Sequence, residues 1–168
     1  MHMKISTGLL LSFFSFSVIA ADKELIAAVL EKNCERAKAE LKEGASPRAT
    51  FKESKNRNEV PIIFVATANV DECSTRALLE HGEDINRQVV LGENEKDMFA
   101  ATPLIYAIRY NKDLAVELIL KFNPDLNPKT NSGEQLMDHP LIFPENFVTT
   151  RTIRIKELLG EHGAHITK

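Results

Sequence analysis

Ala101-Thr102-Pro103-Leu104-Ile105-Tyr106-Ala107 decides how this chain folds. Thr102 can cap a helix by accepting a hydrogen bond from a free N–H of the first turn. Pro103 suits the first helical position, where no N–H is required, and apolar residues follow. Val60-Pro61-Ile62-Ile63-Phe64-Val65-Ala66 is a degenerate copy of it, about 40 residues earlier, a period within the range of helical solenoids.

Downstream of each start lies a matching helix stop. Leu41-Lys42-Glu43-Gly44-Ala45-Ser46-Pro47, Leu79-Glu80-His81-Gly82-Glu83-Asp84-Ile85-Asn86 and Leu159-Gly160-Glu161-His162-Gly163-Ala164-His165-Ile166 align by eye. A fourth copy, Leu120-Lys121-Phe122-Asn123-Pro124-Asp125-Leu126-Asn127, carries Asn in place of the glycine. Leucine buries the last turn, and Gly or Asn takes the left-handed conformation that closes it. The Ala, Pro, Asp and Asn residues that follow lead into a turn.

At these residues the sequence resembles the ankyrin family, whose repeat carries Thr-Pro-Leu-x-x-Ala, a second helix with Leu-Leu, then Gly-Ala-Asp-x-Asn. Thr102 to Asn127 spans one full repeat and Val60 to Asn86 a second with one extra residue. The resemblance implies an all-α solenoid of about four helix pairs, over approximately 22–59, 60–100, 101–132 and 133–168. The first pair, around Lys23–Glu31 and Glu35–Glu43, lacks Thr-Pro-Leu, and Pro140 and Pro144 must shorten the inner helix of the last. Arg151–His162 reads as the final outer helix. Two inter-repeat segments, Ser46 to Glu59 and Arg87 to Ala101, are long for connections in a compact domain. Such segments are usually functional or disordered.

The first 20 residues read differently. Lys4 precedes the run Gly8 to Ala20 (GLLLSFFSFSVIA), which ends in Val18-Ile19-Ala20 before an abrupt change to charge at Asp22. A basic start, a short apolar middle and small residues at the junction predict a secretory signal peptide over 1–20, with a mature chain starting at Ala21 or Asp22. The expected location is periplasmic or secreted, with no membrane insertion after cleavage. The chain has two cysteines, Cys34 and Cys73, in nearly the same slot counted back from Gly44 and Gly82. Equivalent atoms in neighbouring repeats usually lie further apart than a disulfide tolerates, so the one-residue offset has to close the gap. Export favours a disulfide; two buried thiols are the alternative.

Composition and motifs narrow the function. A formal net charge of −3 gives no electrostatic reason to expect nucleic acid as a partner. The sequence has no Gly-rich phosphate loop, no Gly-x-Ser-x-Gly elbow and no His-Glu-x-x-His, so neither enzymatic chemistry nor a cofactor or metal is expected. His162 and His165 have the spacing of half a zinc motif but lie in a helix stop, and His81 occupies the same slot in another copy. Asp71 and Glu72 precede a helix, where carboxylates favour the positive end of its dipole.

Ankyrin repeats imply a protein-binding surface made of loop tips and inner helices. The expected contact residues are Arg57, Glu59, Val90, Leu91, Glu93, Glu95, Asp97 and Phe99 in the long loops, with Tyr106, Arg109 and Ile63 on inner helices. The competing reading is that Val89–Leu91 and Phe99 fold back over a groove between repeats. The function expected is a module that holds or inhibits another exported protein, in concrete form an immunity protein against a periplasm-acting toxin. The alternatives are an adaptor or stabiliser of an envelope or secreted enzyme and, from a different class, a hydrolase or metal-binding protein.

Overall fold

The computed structural model of the chain describes residues 20–52, 59–91, 99–129 and 149–164. The fold is mostly helical. A helix covering residues 20–30 (α1) is followed by α2 (Cys34–Lys42), α3 (Ile62–Ala68), α4 (Glu72–Glu80), α5 (Pro103–Arg109), α6 (Asp113–Leu120) and α7 (Thr150–Glu161). The signal-peptide expectation falls on residues 1–19, outside the described residues, apart from Ala20 in α1. The expectation that Pro140 and Pro144 shorten the inner helix of the last unit also falls outside them.

The left-handed residues explain why the helices stop where they do. Gly44, Gly82, Asn123 and Gly163, the four stops anticipated from the sequence, have φ of 98°, 96°, 50° and 83°. At three of them the next residue donates back across the last turn: Ala45 N–H to Glu40 O, Glu83 N–H to Leu78 O, and Ala164 N–H to Leu159 O. Asn123 is followed by Pro124, which has no N–H to give, so this stop lacks that bond. A second set, Lys32, Val70 and Asn111, turns α1 into α2, α3 into α4 and α5 into α6, with φ of 55°, 56° and 53°. Each precedes its stop by the same 12 residues (32 to 44, 70 to 82, 111 to 123).

The caps follow the sequence signals. Thr102 Oγ1 accepts from Ile105 N–H at 3.3 Å with Pro103 at the first helical position. Asn33, Asp71 and Thr149 cap α2, α4 and α7 by accepting from Arg36, Ser74 and Thr152 N–H.

The fold departs from a purely helical reading in its long connections. Thr50–Phe51 (β1) pairs antiparallel with Val60–Pro61 (β2), and Val89–Leu91 (β3) with Phe99–Ala101 (β4). Val90 faces Ala100 in the second ladder, and Leu91 faces Phe99. The segments read as loops therefore leave the helical body as hairpin stems, in which the ladders pair backbone groups and the β-branched Val60, Val89 and Val90 suit the extended conformation. Their bases are anchored: Ala49 and Ala101 are buried, and Ile62 N–H donates to Ala49 O at 2.9 Å.

One contiguous core runs through the helices. Leu25 and Val29 of α1, Ile62 to Phe64 of α3, Leu78 of α4, Leu104 and Ile105 of α5, Val116 and Ile119 of α6, and Ile155 and Leu159 of α7 are all sealed from solvent. Each such side chain contributes roughly 1.5–3 kcal/mol of hydrophobic stabilisation relative to full exposure. Outside the core, neighbouring outer helices are tied in three ways. Cys34 and Cys73 form a disulfide between α2 and α4, with Cα atoms 5.8 Å apart. Lys121 Nζ, just beyond α6, meets Glu72 of α4 at 2.8 Å. Arg154 of α7 meets Glu117 of α6 at 2.6 Å and Asp113 at 3.8 Å.

Candidate partner-binding surface

The turns after the outer helices are built alike. Arg48 N–H donates to Ser46 Oγ, Asn86 N–H to Asp84 Oδ1 and Asn127 N–H to Asp125 Oδ1, each reaching back two residues to a turn-forming side chain. Bonds between successive turns hold them in line. Asn86 Oδ1 accepts from Asp125 N–H at 2.7 Å, Arg87 Nη1 donates to Arg48 O at 3.0 Å, and Gln88 Nε2 donates to Lys129 O at 3.1 Å. The hairpin stems therefore rise from a braced base, which matters for recognition because a preorganised surface loses less entropy on binding.

Between these turns lies an open polar cleft of about 500 Å³. The Glu83 side chain forms part of it, fully buried, with both carboxylate oxygens used. Oε1 accepts from Asp84 N–H at 2.8 Å, and Oε2 from Arg87 Nη1 at 3.0 Å. A buried carboxylate is tolerable only when paired and hydrogen-bonded in this way. Arg48 and Lys129 are exposed at its sides. Sequence reading missed the cleft, because its lining comes from turns far apart in the chain.

The expected contact residues divide sharply. Glu59 is exposed at the foot of β2, where Thr50 Oγ1 donates to its carboxylate at 2.9 Å. Val90 is 51% exposed. Tyr106 and Arg109 are half-buried on α5. The Tyr106 ring meets Phe64 edge-on at 5.9 Å and Tyr110 at 4.6 Å, so an aromatic row runs from the core out to the exposed Tyr110. Two expectations need correction. Leu91 is buried against the core, because the β3 ladder turns alternate side chains to opposite sides and Leu91 points opposite to Val90. Ile63 is fully buried because α3 directs that side chain into the core. Both belong to the body of the protein and leave the contact surface. Phe99 lies in β4; Arg57, Glu93, Glu95 and Asp97 lie outside the described residues.

The other chemistry-bearing residues serve the helix ends. His81 and His162 each place Nδ1 2.8 Å from the carbonyl four residues back, Ala77 O and Leu158 O, at the ends of α4 and α7. His165 lies outside the described residues. Asp71 caps α4, and Glu72 forms ion pairs with Arg76 and Lys121. Among the described residues, Cys34, Glu35 and Cys73 are the group with metal-ligand geometry. The metal-binding form of cysteine is the free thiolate, and these two sulfurs are bonded to each other.

Disulfides persist in oxidising compartments, and this one points to an extracytoplasmic location. Among the described residues no helix is long and apolar enough to cross a membrane. No known protein-family model matches the chain, and no curated protein matches it.

Proposed function

We propose that the chain is an exported, periplasmic or secreted, ankyrin-type binding module that holds or inhibits another exported protein. An immunity protein against a periplasm-acting toxin is the concrete form of this reading. The observation that carries it is the pair of braced hairpin stems, one of which leaves Val90 exposed while Leu91 anchors the strand beneath. Support for ankyrin-type stacking comes from left-handed residues recurring 12 apart and from turn-to-turn bonds linking residues about 40 positions apart. Export is supported by the disulfide and by the apolar run ending at Ala20.

The test begins with the native host. The gene neighbourhood should hold an exported toxin or enzyme, and that protein, purified, should bind this chain directly. Val90→Glu should weaken the complex by at least about tenfold, equivalent to 1.4 kcal/mol, with an unchanged melting temperature. An affinity untouched by Val90→Glu, or a neighbouring exported protein that does not bind, overturns the reading. Activity of the bound enzyme separates its two forms: an inhibited toxin supports the immunity role, and a stabilised enzyme the adaptor role.

A further inference from the structure

We infer that the polar cleft at the base of the hairpins is a docking site for an acidic peptide segment of the partner, which it grips by side-chain carboxylates. The inference rests on the binding-module reading above and gives it a chemistry. Residues from three successive turns meet in the cleft: Arg48 from the first, Glu83, Asp84, Arg87 and Gln88 from the second, and Lys129 from the third. Glu83 and Arg87 neutralise each other, and Arg87 also donates to Arg48 O, so these two groups form the fixed floor. Gln88 is likewise committed, to Lys129 O. Among the described residues, the side chains of Arg48 and Lys129 make no ion pair or hydrogen bond. The other anion, the exposed Asp84, accepts from Asn86 N–H within its turn and keeps its negative charge.

Among the described lining residues Arg48, Arg87 and Lys129 outweigh Glu83 and Asp84 by one positive charge, and Arg48 and Lys129 flank a polar floor, in a chain whose overall charge is negative. A locally positive cleft favours carboxylates over cationic groups. A cleft of about 500 Å³ that is open and polar accommodates a short extended segment carrying acidic side chains. A guanidinium can grip a carboxylate with two parallel hydrogen bonds, whereas an ammonium acts as a point charge, so Arg48 should set the orientation of the segment and Lys129 its reach.

The probe is N-acetylated hexaglutamate, titrated at low ionic strength into the protein with its disulfide intact and followed by amide chemical shifts. The expected result is saturable shifts centred on Asn86, Gln88 and Lys129. In Arg48→Ala/Lys129→Ala, the affinity should be weaker by about fivefold or more and the melting temperature unchanged, because both side chains are exposed and contribute little to folding. Raising the salt should weaken binding in the wild type more than in the double variant. Free glutamate at matched carboxylate concentration should not reproduce the occupancy, since separate molecules lack the gain from carboxylates linked in one chain. Shifts located elsewhere, equal binding by the double variant, equal occupancy by free glutamate, or equal binding of hexalysine would each overturn the site. The purified partner separates this inference from the broader one. A partner that binds wild type and double variant alike leaves the binding module standing and removes the acidic-peptide cleft. Hexaglutamate in the cleft with no exported protein bound does the reverse.

Discussion

The seam between α2 and α4 is held by a covalent bond, whereas the seams from α4 to α6 and from α6 to α7 are held by exposed charges. The three join neighbouring outer helices in the same architecture, but their physics differs. A disulfide acts mainly by restricting the unfolded chain, so it is indifferent to salt and mild acid and sensitive to reductant. Exposed ion pairs act in the folded state, lose side-chain entropy and are screened, so their response is the opposite. The α2–α4 seam thus depends on conditions that keep thiols oxidised, and the α4–α6 and α6–α7 seams on conditions that keep carboxylates ionised. The middle seam adds Arg76 of α4 stacked 5.2 Å over the Phe122 ring, a contact that salt screens less than a bare ion pair.

The largest effect should come from breaking the covalent seam. Cys34 and Cys73 are 39 residues apart in sequence, and a loop of that length predicts a contribution on the order of 3–4 kcal/mol. Reduction, or Cys34→Ser/Cys73→Ser, should lower the stability measured by urea unfolding by about that amount. The loss should be equal at low and high salt. A loss below about 1 kcal/mol would mean that the unfolded chain is already compact around this pair.

A smaller effect separates turns that share a conformation and differ in residue. Asn111 occupies its left-handed turn as a residue type suited to it, but Val70 holds the same φ with a β-branched side chain. Val70 is 45% exposed, so replacing it sacrifices little burial. Val70→Asn should therefore stabilise the protein by about 1 kcal/mol, read from the urea midpoint. A destabilised variant would show that the valine methyls pack across the turn and outweigh the strain.

These turns also mark how far sequence reasoning reached. The stops at Gly44, Gly82 and Gly163 were legible because glycine announces a left-handed residue, and Asn123 because asparagine is its usual substitute. Lys32 and Val70 announce nothing; only the constant 12-residue spacing exposes them, and it becomes visible once the dihedral angles are known. The cysteine pair was legible as a shared slot in two copies of one pattern. Arg154 with Glu117, 37 residues apart, and Lys121 with Glu72, 49 apart, were not, since many surface charges satisfy such a spacing. The hairpin stems escaped for a similar reason. Two- and three-residue strands are too short for alternation to register, and so the burial of Leu91 beside the exposed Val90 came only with the ladder.

The ionic seam at the C-terminal end should break with salt and without reductant. Glu117 and Asp113 raise the affinity of the Arg154 guanidinium for its proton, Glu117 most strongly through its hydrogen bond. Arg154→Ala should lower the melting temperature at low ionic strength by less than loss of the disulfide does. The difference from wild type should shrink markedly towards about 1 M salt, where the screening length falls to about 3 Å. A difference that survives high salt would assign the role of Arg154 to the packing of its aliphatic stem.

The smallest effect is a pH dependence in the middle seam, and its sign is fixed. The hydrogen bond from Lys121, then that from Arg76, holds the Glu72 carboxyl below the usual carboxylate range. A carboxyl with a lowered folded-state value binds its proton more readily when unfolded. It therefore stabilises the fold fully above the unfolded value, and that stabilisation fades as the pH falls through the folded one. Glu72→Gln keeps the shape and removes the charge, so the variant should melt slightly below wild type at pH 7. The gap should close on acidification past the ordinary carboxylate range, while the disulfide contribution stays constant over the same interval. Glu72 is solvent-exposed, so the gap should be small and shrink further with salt. A gap that persists unchanged below the carboxylate range would mean that Glu72 holds the middle seam through its hydrogen bonds to Lys121 and Arg76 and not through its charge.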